Sequence, residues 1–397
     1  MQNNKFKSAV LGSISISISI SSLLPTVLFV AASTASAVEL EVKDTTVNLY
    51  GFAKLDLIYD VDSDLGDLVT HSNIRLDDQD GSDGHTRLHA LQSRVGISTL
   101  TPTAYGPLKT VIEGDFFGGS GGFRLRHAYG VWNGILAGQT WSNFGNFLGF
   151  TPTIDFRGQV GQTFIARQGQ LRYTTGGLSV ALEAPGTAGG PTAIYSILEP
   201  EPITPDASSK DGLPDLTFQY QSSVGPIAYA TSAVLRQLSV YDADTDSDES
   251  AFGYGVSLSA KFTVSSAMSI QGSVVYGDGI GGYMYSGPAA SGFYDPNTFD
   301  VETIEAIGGT LGTSIEAGPG TVNLAYGIGT ADWDDAEAAR LSVGGQNEMF
   351  QSIYLNYIWS PIDNVSYGVE AGHYSREVVS GNDGSAVRLQ AMAMYSF

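Results

Sequence analysis

Residues 122–145 read GFRLRHAYGVWNGILAGQTWSNFG, and residues 165–176 read IARQGQLRYTTG. Two alternating runs, 123–132 and 135–141, meet at Asn133-Gly134, a pair whose tolerance of positive φ predicts a tight two-residue β-hairpin. Successive side chains of a strand point to opposite faces. Strict alternation therefore sets Arg124, Arg126, Ala128 and Gly130 on one face and Phe123, Leu125, Tyr129 and Val131 on the other. In a soluble sandwich the greasy face would line a dry core. In an outer-membrane barrel it meets lipid, and the polar face lines a water-filled channel.

The rest of the chain separates these two readings. Residues 1–37 carry Lys5 and Lys7, then a serine-interleaved apolar run over 9–32, then Ala35-Ser36-Ala37. That order is the plan of a secretory signal peptide cut after Ala37, and the serines and cleavage site set it apart from a membrane anchor. No later stretch approaches the roughly 20 apolar residues that a spanning helix requires, so a membrane crossing would need a closed barrel. Cysteine is absent, which removes disulfides, thiolate nucleophiles and zinc–thiolate sites. A net charge of −22 at pH 7 argues against nucleic acid as a partner.

One domain is expected over 38–397: an all-β, transmembrane antiparallel β-barrel of about sixteen strands. Its first strand is read at 47–59, and its last ends at Phe397, with Leu389, Ala391, Ala393 and Tyr395 opposite Arg388, Gln390 and Ser396. An aromatic residue closing an alternating strand resembles the terminal signal of bacterial outer-membrane barrels. Connections alternate in length: short at 133–134, 175–177, 222–225, 317–320 and 360–363, mostly long at 61–86, 142–165, 185–213, 239–249, 279–299 and 332–346. Short periplasmic turns opposite long extracellular loops fit a barrel, whereas a sandwich has no reason to segregate its loops. Trp132 and Trp359 beside short turns, with Trp141 and Trp333 beside long ones, suit two interfacial girdles. A barrel of this strand number is too wide for its own side chains to fill.

The third long loop, SNFGNFLGFTPTIDFRGQVGQTFI, is too apolar for an exposed connection: Phe144, Phe147, Leu148, Phe150, Ile154 and Phe156 need cover. It is expected to fold into the lumen and present Arg157 and Gln159 there; the competing account packs it on a neighbouring subunit. Arg94, Arg124, Arg126 and Arg172 fall on the polar face of adjoining strands, and Gln168 and Gln170 share the face of Arg172. Guanidinium forks match carboxylates two bonds at a time, so this wall would attract small organic anions. Alternatively, Glu113, Asp115 and Asp155 neutralise the arginines in a weakly selective eyelet. The alternating acids at Asp242, Asp244, Asp246 and Asp248 lack the glycine of a calcium loop and read as a solvated rim, where divalent cations could bridge to lipopolysaccharide. The histidines show no metal-ligand spacing, no phosphate loop or nucleophile elbow stands out, and neither cofactor nor enzyme activity is expected.

The segments LYGFAKLD (49–56), SRVGIST (93–99), IEGDFFG (112–118), FRLRHAYG (123–130), AGQTWSNF (137–144), TIDFRGQVGQTF (153–164) and RQGQLRYT (167–174) resemble the DcaP-like outer-membrane porins of Gram-negative bacteria. The match is specific through about residues 47–176 and generic beyond. It implies a homotrimeric sixteen-stranded porin with a basic constriction that takes up dicarboxylates and other small anions. Its arginine positions correspond to Arg94, Arg124, Arg126, Arg167 and Arg172, although strict alternation puts Arg167 on the face of Leu171. VELEVKDTT, before the first strand, is too short for the coiled-coil extension that some members carry. The expected function is a passive outer-membrane channel with an arginine-lined constriction. Its rivals are a general or cation-favouring porin governed by the acidic loops, and a surface adhesin or receptor barrel with a blocked lumen.

Overall fold

The computed structural model describes residues 38–163, 166–198 and 203–397. The expected signal peptide, residues 1–37, lies outside the described residues. Period-two alternation becomes a closed antiparallel barrel of 16 strands. These are β1 (Thr45–Asp60), β2 (His85–His89 and Arg94–Thr101, interrupted at 90–93), β3 (Leu108–Gly118), β4 (Gly122–Trp132), β5 (Ile135–Trp141), β6 (Arg167–Thr175), β7 (Leu178–Glu183) and β8 (Asp215–Val224). The second half comprises β9 (Ile227–Asp242), β10 (Ser247–Ser265), β11 (Met268–Asp278), β12 (Glu305–Ala317), β13 (Gly320–Ala331), β14 (Asn347–Ile362), β15 (Val365–Val378) and β16 (Asp383–Ser396). β16 returns to β1, with Ser396 opposite Phe52 and Arg388 opposite Asp60. Closure satisfies the backbone groups that hydrocarbon cannot.

The two faces of the wall are chemically distinct. On β14, Ile353 and Leu355 are 45% and 53% exposed, while Ser352, Tyr354 and Asn356 between them are buried. On β10 the outward side chains are Phe252, Val256 and Leu258, and Ser257 and Ser259 point in. Apolar area left in water forfeits about 25 cal/mol per Å². A continuous outward band of this kind is stable in lipid, and the inward side is wet and polar. Among the described residues no helix is long and apolar enough to cross a membrane; the strands do so.

Short turns at one rim, such as 133–134, 176–177, 225–226 and 318–319, face the longer loops at the other. Several expectations are corrected. The expected long loop 239–249 is a tight turn at 243–246, because Asp242 still pairs with Ser247. Its acids are already used: the Asp242 carboxylate accepts the Asp244 N–H and the Tyr294 hydroxyl, and Asp248 pairs with Lys210. Asp300–Thr303 does not open β12 but joins Gly292–Asp295 and Pro191–Ala193 in a separate small sheet. Ahead of β1, Val38–Val42 pairs back onto Thr45–Leu49, so the wall begins earlier than Val47. Trp132 and Trp359 stand beside short turns as expected, but Trp333 is only 3% exposed, packed with Phe293, Ile304 and Leu341 under the loops.

Residues 142–163 run along the inside of the barrel. Gln219 on β8 donates to the carbonyls of Asn143 and Gly145, Gln271 on β11 to Thr151, and Tyr354 on β14 to the Gly158 carbonyl. Each of these partners lies on an inward face, so the loop crosses the lumen instead of packing on a neighbour. A second loop folds in with it: Met284-Tyr285 forms a short antiparallel pair with Gln162-Thr163. Phe144, Val234, Val275, Ile280, Tyr283 and Met284 seal the contact between loops and wall.

Candidate functional site

The site grows from a fault in the β3–β4 ladder. Asp115 sits opposite Arg124 and Glu113 opposite His127, so Arg126 is an extra, bulged residue. The bulge turns Arg124, Arg126 and His127 all toward the lumen. Beyond it the parity reverses from strict alternation. Val131 pairs with the buried Leu136, while Trp132 pairs with the exposed Ile135. Tyr129 and Val131 therefore face inward, and Ala128 and Gly130 outward, opposite to the sequence expectation. Gly138, facing Tyr129 with φ +127°, must be glycine: a Cβ there would lie 2.7 Å from the Tyr129 Cα.

Three of the expected arginines form one ion network. Asp115 accepts Arg124 bidentately, from Nε at 2.9 Å and Nη2 at 2.8 Å, and also Arg126 Nη1 at 2.9 Å. Glu113 accepts Arg126 Nε at 2.8 Å and lies 3.4 Å from Arg94 Nε. Arg126 is 1% exposed, whereas the Arg124 side chain retains 33% exposure toward the channel. Aromatic faces back the guanidiniums: Arg124 lies over Phe117 and Phe156, and Arg126 over Trp141 and Phe156. Phe156 belongs to the infolded loop, which thereby closes on the basic wall.

Arg167 joins this cluster despite its parity. At the end of β6 its Cζ sits 4.7 Å over the ring of Trp141, which also packs edge-on against Phe147 of the loop. Trp141 thus turns inward, away from any girdle. Arg157 comes from the loop itself, with its backbone N–H held by Asp155 Oδ1 at 2.9 Å. Neither Arg157 nor Arg167 has a carboxylate in ion-pair range among the described residues. Burial pushes the Tyr285 phenol above its ordinary pKa, and Arg157, Arg167 and Arg126 pull against that rise. Tyr285, carried by the second infolded loop, thus lies within the electrostatic reach of all three guanidiniums.

The other expected residues are placed elsewhere. Asp155 does not neutralise the cluster; it pairs with Arg388, which also grips Asp60. Gln168 is buried, donating to Glu183 and to the Tyr283 hydroxyl, and so fastens the second loop. Gln170 donates to the carbonyls of Thr140 and Trp141, bracing β5 against β6. Gln159 is not presented to the lumen: it is 1% exposed and bonds Thr151 within its own loop. Arg172 faces inward from β6, opposite Leu136, with no hydrogen bond or ion pair tying it to the cluster among the described residues. Sequence reading missed Tyr285, Glu370 and the pairing role of Arg388. Only the apolar run Ile280, Tyr283, Met284 and Tyr285, which demands cover as the third loop does, signalled the second infolding.

The family model for the DcaP outer membrane protein matches residues 28–397. The chain belongs to the DcaP outer membrane protein family. Among solved structures, it is similar to the outer membrane channel DcaP of Acinetobacter baumannii, with 28% identity and a TM-score of 0.75 over 90% of this chain and 99% of that one. Lower likenesses, to the anion-selective porin from Comamonas acidovorans (13% identity, TM-score 0.55, 89% and 100% covered) and the outer-membrane expressed OmpT of Vibrio cholerae (13%, 0.55, 90% and 100%), share the fold alone. No curated protein matches the chain. Membership of the DcaP family makes it an outer-membrane channel, built on a porin barrel.

Proposed function

We propose that this channel passes small organic anions, dicarboxylates foremost, by passive diffusion through the constriction of Arg94, Arg124, Arg126, Arg157 and Arg167. Arg172 would extend the basic track away from the cluster. The observation that carries the reading is the charge tally: Arg94, Arg124 and Arg126 pair with only two carboxylates, Glu113 and Asp115, and Arg157 and Arg167 have no ion-pair partner among the described residues. Exposed guanidinium edges offer a carboxylate two parallel donors, and aromatic backing keeps the forks in plane. We take the protein to be exported with loss of residues 1–37 and to assemble as a homotrimer in outer-membrane lipid.

The acidic mouth favours a second reading, a general or cation-favouring pore. Glu302, in the loop sheet, has its pKa raised by burial and by the nearby carboxylates of Asp300, Asp335, Asp295 and Asp278. Exposed charges at the mouth are screened over about 10 Å at 0.1 M salt, so the constriction governs selectivity at that ionic strength. Planar-bilayer recording under a KCl gradient tests both: a reversal potential of the anionic sign, with current blocked by succinate, is expected. A cationic sign would overturn the proposal in favour of the mouth, and negligible conductance would favour the adhesin class.

A further inference from the structure

Asp155 is the carboxylate nearest Arg157 in sequence, yet it leaves the Arg157 guanidinium alone. Its Oδ2 accepts the Val69 N–H at 3.3 Å and pairs with Arg388 Nη1 at 3.2 Å, and only its Oδ1 reaches back, to the Arg157 backbone N–H. Arg388 is itself fixed, with Nε 2.6 Å and Nη2 2.9 Å from the carboxylate of Asp60. Residues 154–155 are held within reach of Arg388 by Glu370 on β15, with Lys54 Nζ donating to the Ile154 carbonyl at 3.0 Å on the other side of the same residue. Glu370 Oε2 accepts the Ile154 N–H at 2.7 Å and Asn356 Nδ2 at 2.9 Å, while Oε1 accepts the Asp155 N–H at 2.9 Å. Glu370 is 6% exposed and makes no ion pair among the described residues.

We propose that Glu370 is a positioning residue for Arg157: by clamping the backbone at 154–155 it delivers the Asp155 carboxylate to Arg388 and so leaves the Arg157 guanidinium unpaired in the constriction. The inference rests on the reading of Arg157 as a selectivity determinant. A carboxylate suits the clamp because it offers two acceptor oxygens to two converging N–H groups, whereas an amide offers one oxygen and turns a donor toward the other N–H. Released loop backbone would let Asp155 swing to Arg157, two residues away, and cancel its charge.

The chain has no cysteine, so R157C supplies a single reporter thiol. We expect E370Q to change by about twofold or more the rate at which an anionic methanethiosulfonate modifies R157C, read as steps in conductance. E370Q should also move the reversal potential of the wild-type channel toward zero and produce no further shift in an R157A background. An unaltered modification rate, or an equal shift in both backgrounds, would overturn the proposal, since a general loosening of the barrel does not depend on Arg157. If R157A alone leaves selectivity intact, the functional reading falls, while the R157C rate still reports the clamp. Should E370Q yield no heat-modifiable barrel, E370D keeps the charge, withdraws both oxygens by one methylene and enters the same comparison.

Discussion

Removing Arg157 and Arg167 together, as R157A/R167A, isolates the charge that has no carboxylate in ion-pair range among the described residues. The cluster of Arg94, Arg124, Arg126, Arg157 and Arg167 against Glu113 and Asp115 carries an excess of three positive charges, and the double variant leaves one. A unit charge about 4 Å from a permeating ion is worth about 1 kcal/mol in water, or a factor of roughly five in partition for each charge removed. The double variant should therefore lower anion partition by as much as about 25-fold at low salt, and the anion-to-cation permeability ratio with it, less near 0.1 M, where screening acts over about 10 Å. The assay is the reversal potential across a planar bilayer at two mean ionic strengths. The shift should shrink toward 1 M, where the screening length is about 3 Å. A double variant whose reversal potential superimposes on wild type at low salt, with unitary conductance preserved, would refute the assignment. R126A provides the contrast: Arg126 is 1% exposed and bridges both carboxylates, so its loss should destabilise the barrel by about 3–5 kcal/mol and alter selectivity less than R157A/R167A does.

Other perturbations follow from neighbouring geometry. Gly161 has φ +72° and its missing Cβ would fall 1.7 Å from the Ile328 carbonyl oxygen, so G161A should lift the loop off the wall and raise single-channel conductance; an unchanged conductance would deny the loop its narrowing role. Y283F removes the hydroxyl that donates to Asp215 at 2.8 Å and should cost about 1–3 kcal/mol, measured as a lower denaturant midpoint. Burial, with a smaller contribution from Arg157, pushes the His71 imidazole down to about 3. Unfolded histidine titrates near 6.5, so the unfolded chain binds the extra proton between these values. The stabilisation is complete above about pH 6.5 and disappears as pH falls toward 3. Melting temperatures measured from pH 7 to pH 4 should fall less steeply in H71F than in wild type.

The barrel was readable because lipid enforces a strict period: Ile353, Leu355 and Tyr357 on β14 are written every second residue, with polar neighbours between. The infolding of residues 142–163 was readable too, since six large apolar side chains cannot be left in water. The clamp at Glu370 was not, because nothing local connects a glutamate on β15 with the backbone of Ile154, more than two hundred positions away. Nor did alternation disclose that Gln168 and Gln170 brace the wall: an inward amide looks the same whether it meets solute or a carbonyl. Arg167 and Trp141 escaped the parity rule at strand ends, where a side chain can turn around the last rung of the ladder.

The bulge at Arg126 bears on how such a pore can diversify. A regular strand offers the channel one side chain in two; the additional residue lifts that limit by setting the His127 ring beside Arg124 and Arg126. Because everything from Tyr129 to Trp132 depends on this offset, deleting one residue there would do more than subtract a charge. It would rotate the whole periplasmic half of β4, driving Trp132 into the water column and Tyr129 and Val131 into oil. Charge at this narrowing can therefore be retuned by point substitution far more readily than by insertion or deletion.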